Sequence, residues 1–115
     1  MNINLIKEKI QKFSDDRNWN QHHNPKNLAM ALSVETAELV EIFQWLTLEQ
    51  ASNLQGEKKE HLKEEIADVA VYLIRICMKY DIDLEEAILS KMIKNENKYS
   101  LIDKEGNKIK YGKKE

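Results

Sequence analysis

From Glu57 to Tyr80 the chain runs without a glycine or proline, and Leu62, Ile66, Val69, Leu73, Ile76 and Tyr80 recur every three or four positions. Only an α-helix gathers that spacing on one side, so the segment predicts a helix whose apolar stripe needs a partner. The same period in Ile3, Ile6, Ile10 and Phe13 predicts a first helix over about residues 3–17. A second is expected to run to about Leu46, with Asn24 as its cap and Pro25 in its first turn. Residues 47–57 read as a short turn of helix and a connection broken at Gly56. Asp83 followed by Glu86 reads as a capping box opening a fourth helix to about Tyr99. With three Gly and one Pro in 115 residues, the expected class is all-α: one four-helix, bundle-like domain over 1–100. Residues 101–115 read as a loose tail or a small hairpin about Glu105-Gly106-Asn107, with Lys113 and Lys114 as solubilising charges.

Eighteen basic residues against twenty acidic ones give a formal charge of −2, so there is no general basic field to gather nucleic acid or anionic lipid. A phosphate ligand would have to be held by local charge or by metal. Cys77 is the one cysteine, flanked by Ile76 and Met78, which suggests a buried thiol and a reducing, cytoplasmic setting. The opening MNINLIKEKIQKF lacks the basic start and unbroken apolar run of a signal peptide, and no stretch approaches the ~20 apolar residues of a membrane span.

The acidic residues are unevenly placed. On a helical wheel Leu28, Leu32, Leu39, Phe43 and Leu46 form a stripe roughly 60° wide, and Glu35 falls inside it. Glu38 lies on the border of that stripe, and Glu65, Asp68 and Tyr72 cluster along one border of the 57–80 stripe. A carboxylate facing a core loses its water and stays ionised only if a cation or several donors replace it. A spacing of three sets each pair on adjacent turns, so two such pairs on facing helices make an oxygen-rich cage. Hard oxygen ligands without thiol or imidazole favour magnesium or manganese over zinc. Against this stands the plain alternative that ExxE and ExxD are solvated charge patterning, as Glu60 and Glu64 are.

The segments NWNQHHNPKNLAMALSVETAELVEIFQW and LKEEIADVAVYLIRI resemble the MazG-like nucleotide pyrophosphohydrolases of the all-α NTP pyrophosphatase superfamily, and within them the small dCTP pyrophosphatase branch. The family pattern, ExxE, a variable gap and ExxD, is filled by Glu35, Glu38, Glu65 and Asp68. The resemblance implies that these four bind magnesium, with manganese as a substitute, and that a nucleoside triphosphate is hydrolysed to monophosphate and pyrophosphate. It further implies that Trp19, His23, Trp45, Tyr72, Lys91 and Asn95 hold the nucleotide, Trp45 and Tyr72 near base or sugar, Lys91 and Asn95 near phosphates. Where relatives often carry glycine around the first carboxylates, this chain has SVETAEL.

Glu35 and Glu38 are the candidate catalytic carboxylates, with Glu38 the first choice for orienting or deprotonating water. Ala67, Ala70, Val71, Ile74 and Met78 form a second apolar side on the 57–80 helix, which predicts a dimer or a dimer of dimers. Two rivals stand beside this reading. A di-iron bundle wants Glu-x-x-His motifs, which neither pair supplies. A non-catalytic helical interaction module would use the acidic border as a docking surface.

Overall fold

The computed structural model describes residues 1–114, with side chains described through Ile109; the side chains of Lys113 and Lys114 lie outside the described residues. The elements follow in the order α1 (Ile3–Asp16), a single 3-10 turn (Asn20–His22), α2 (Pro25–Phe43), α3 (Leu48–Ser52), α4 (Gly56–Lys79), α5 (Leu84–Lys98), β1 (Tyr99–Ile102) and β2 (Lys108–Lys114). The chain divides into two compact units, Met1–Asp81 and Ile82–Glu115.

Local chemistry sets the helix boundaries. The Asn24 side chain accepts from the Asn27 backbone N–H at 2.9 Å, and Pro25 occupies the first helical turn of α2. A full capping box, Thr47 with Gln50, opens α3, so the 47–57 connection contributes a fifth helix of its own. Gly56 starts α4 with φ +61°, a left-handed conformation that costs a glycine nothing. Asp83 accepts from the Glu86 backbone N–H at 3.1 Å, the forward half of the anticipated box. Asp81, with φ +53°, turns the chain between α4 and α5.

In the first unit α4 packs chiefly against α2, and α1 lies against α4. The core contains Ile10, Leu28, Ile74 and Cys77, with Ser14 and Glu65 buried among them. This corrects the expected stripe on α4: Ile66, Leu73 and Tyr80 are 52%, 40% and 62% exposed, whereas Ile74 and Cys77 are buried. The reason is that α4 is covered on more than one side within its own chain. Because α1 also meets it, Ile74 is consumed in the chain's own core, and Val71 and Met78 are half-buried. The apolar residues left open on α4 are Ile66, Ala67, Ala70, Leu73 and Tyr80, so of the side predicted for a partner only Ala67 and Ala70 stay exposed.

In the second unit, α5 leads into the antiparallel hairpin β1–β2, the form offered above for the tail. Its turn is tied by Asp103, whose side chain accepts from the backbone N–H of Glu105 at 3.0 Å and of Asn107 at 2.8 Å. Gly106 takes φ +85° in that turn. Ile88, Leu89, Met92 and Ile93 of α5 are exposed. Among the described residues no helix is long and apolar enough to cross a membrane.

Candidate active site

The packing of α2 on α4 brings the carboxylates together. One oxygen from each of Glu35, Glu38 and Glu65 lies within 4.8 Å of the others. Glu65 is 8% exposed, and one of its oxygens meets His61 Nε2 at 3.3 Å. Its Oε2, and Oε2 of Glu35, are buried without a hydrogen-bond partner among the described residues. Burial first, then the Glu38 hydrogen bond and the charges of Glu38, Asp68 and Glu65, push the Glu35 carboxyl up to about 7. Three carboxylates with two orphaned oxygens are short of positive charge and donors among the described residues, and the cluster is able to hold a divalent cation. Asp68 is not one of the converging trio; it is exposed and lines a cavity beside it, together with Glu35.

That cavity, about 350 Å³, is bounded by α1, the residues flanking the 3-10 turn, α2 and α4. Trp19, His23 and Tyr72 line it, as do Phe13, expected only as part of the α1 stripe, and Lys9 and Arg75, to which the sequence assigned no role. The α1–α2 connection places its rings: Asn18 takes φ +54°, the chain makes one 3-10 turn, and the Asn27 side chain donates to the His22 carbonyl at 3.0 Å. Trp19 then stands edge-on to both Phe13 and His23, with centroids 5.5 and 6.1 Å away. Such rings offer apolar area and π-faces to a flat ligand.

Arg75 Nη1 lies 3.3 Å from His23 Nδ1, and its Nη2 donates to the Ile10 carbonyl at 3.3 Å. A guanidinium has no acceptor, so His23 receives this bond at Nδ1 and carries its own proton on Nε2. Burial first, then the charges of Arg75, Lys79 and His22, pull His23 below the usual histidine value. Burial also lowers Arg75, opposed by Tyr72. One signal could have exposed Arg75: it is the lone charge in the run Val69–Met78, as Glu35 is the charge in the α2 stripe.

The remaining expected residues lie elsewhere. Trp45, beyond the end of α2, is 86% exposed and does not line this cavity. Lys91 and Asn95 occupy α5 in the second unit, one turn apart.

These features define a class: a largely helical protein with a carboxylate cluster suited to a divalent cation, beside a ring-lined cavity. The MazG-like family model matches residues 30–113. Over 102 residues the chain is 36% identical to dCTP pyrophosphatase 1 of Rattus norvegicus, covering 87% of this chain and 60% of that one. To dCTP pyrophosphatase 1 of Homo sapiens it is 39% identical over 90 residues, 76% of this chain and 53% of that one. The crystal structure of a pyrophosphatase from Archaeoglobus fulgidus DSM 4304 matches with a TM-score of 0.80 and 40% identity, over 86% of this chain and 93% of that one. The chain belongs to the MazG-like family. It spans 60% or less of the length of these dCTP pyrophosphatase relatives.

Proposed function

We propose that this protein hydrolyses nucleoside triphosphates, dCTP-like ones foremost, to the nucleoside monophosphate and pyrophosphate in a magnesium-dependent reaction. The observation that carries the proposal is the convergence of Glu35, Glu38 and Glu65 within 4.8 Å, with two buried carboxylate oxygens that have no donor among the described residues. These residues fit a hard cation, and Asp68 completes the family's ligand set from the cavity side. Magnesium, or manganese in its place, supplies neutralisation of phosphate charge and acidification of water when bound.

The chain's own part is to hold and orient. Glu38 orients a water and takes its proton as the water oxygen bonds to the α-phosphorus; the bond to the bridging oxygen breaks and pyrophosphate leaves. Glu35 is its catalytic partner. Trp19, His23 and Tyr72 hold the nucleoside in the ring-lined cavity, while Trp45, Lys91 and Asn95 belong to the same proposal through the family pattern. Residues 1–100 act as the working domain, with 101–115 as an appended tail. The exposed apolar faces of α2 (Met30, Val34), α4 (Ile66, Leu73) and α5 (Ile88, Met92) support a homodimer or homotetramer. The free, buried Cys77 fits a reducing cytoplasm.

A panel of canonical and modified nucleoside triphosphates, scored by pyrophosphate release with magnesium and with manganese, tests the activity, metal need and base choice together. Release of pyrophosphate from dCTP is the expected result. Silence across the panel with both metals overturns the proposal in favour of a helical interaction module.

A further inference from the structure

Arg75 does not behave as a structural arginine. It lines the cavity but has no carboxylate within salt-bridge reach among the described residues. Two of its five N–H groups are tied to neutral acceptors, His23 Nδ1 and the Ile10 carbonyl, so its orientation is held while its charge is left uncompensated. It also stands at the ring-lined wall: it touches His23, which lies against Trp19, which lies against Phe13. The carboxylate end of the site accounts for the phosphates through a cation. The ring wall suits a base, and a guanidinium fixed there offers donors and no acceptor.

We infer that Arg75 is a specificity-determining residue that reads the base edge, favouring a base with two adjacent acceptors, as on the O2 and N3 edge of cytosine. Thymine and uracil present an N3–H donor at that position and meet the guanidinium donor to donor. His23 is the positioning residue: by accepting from Nη1 it fixes the fork, and its Nε2–H is free to donate. This rests on the proposed nucleotide hydrolysis for its substrate class, but the contact itself is independent of catalysis.

The test compares wild type with Arg75→Met and Arg75→Lys, each checked for folding by circular dichroism and thermal melting. With magnesium, kcat/KM for dCTP should fall roughly 10- to 100-fold in R75M, the usual scale for a lost charge-assisted hydrogen bond, while dTTP and dUTP change less than about threefold. R75K, which keeps the charge without the fork, should also lose the preference for dCTP. A parallel titration of dCMP and dTMP into metal-free protein reads the contact without hydrolysis: dCMP should bind wild type more tightly than dTMP, and R75M should erase the difference. An equal loss on every triphosphate, or unchanged dCMP preference in R75M, overturns the assignment. If no triphosphate turns over yet R75M still weakens dCMP selectively, the hydrolase reading fails and the base contact stands. Absence of both turnover and dCMP binding sinks both.

Discussion

The cavity's two charged regions solve opposite problems. On the α2–α4 side, Glu35, Glu38 and Glu65 crowd negative charge together with few donors among the described residues, and the Glu35 carboxyl is pushed up as a result. On the α1–α4 side, Arg75 is half-buried yet supplied with two acceptors, so it is held ready without a counter-charge. One region is short of positive charge; the other holds a positive charge in a fixed orientation. In this account the first supplies reactivity and the second supplies selection, which makes their mutational signatures separable.

The largest expected effect lies on the acidic side. Glu38→Gln should lower kcat by about 10²- to 10⁴-fold with a melting temperature near wild type, the range for loss of a general base. Turnover close to wild type in that variant would remove Glu38 from the water-orienting role. Next in size is the effect of metal on stability. Magnesium at a hundredfold excess over its Kd should stabilise the fold by about 2.7 kcal/mol, and Glu65→Gln should abolish most of that gain. Equal protection of wild type and variant in differential scanning calorimetry would place the cation elsewhere.

Acidity should distinguish the two regions further. The Glu35 carboxyl is pushed up to about 7 from an ordinary 4.5, so the folded state holds a proton that the unfolded chain has released across that window. Its contribution to metal-free stability is therefore full below about 4.5 and is lost as pH rises through 7. A fall of about 10 °C in melting temperature between pH 5 and 7.5 is expected, the response of a domain this size to about 2 kcal/mol. Glu35→Gln should flatten the curve, and saturating magnesium should reverse its slope. A metal-free melting temperature that rises over the same window would contradict the assigned strain. The smallest effect belongs to Lys9, an exposed cation at the cavity edge. Lys9→Met should raise KM about two- to fivefold, leave kcat unchanged and show less effect at high salt.

The acidic region was legible in the sequence because the signal is local and repeated. A carboxylate inside the α2 stripe and a pair on the border of the α4 stripe, each three residues from its neighbour, stand out against ordinary charge patterning, and Asn24-Pro25 and Asp83 marked their helix starts correctly. The basic region was less legible because its meaning is tertiary. Nothing local says that Arg75 meets His23, fifty-two positions earlier, or the Ile10 carbonyl. The same limit explains the stripe on α4: periodicity identified its apolar sides, but which of them the chain covers depends on where α1 lands. Residues 47–57 hold the short helix and link their sequence suggests, and the Thr47–Gln50 box fixes where that helix begins.

The central claim is that water attacks the α-phosphorus of a nucleoside triphosphate beside the Glu35, Glu38 and Glu65 cluster. The most direct measurement is turnover of dCTP with magnesium in water enriched in heavy oxygen, followed by phosphorus NMR and mass spectrometry of the products. The expected products are dCMP carrying the heavy oxygen and unlabelled pyrophosphate, formed by wild type and nearly absent with Glu38→Gln. Label in the pyrophosphate, or release of dCDP and orthophosphate, would contradict it.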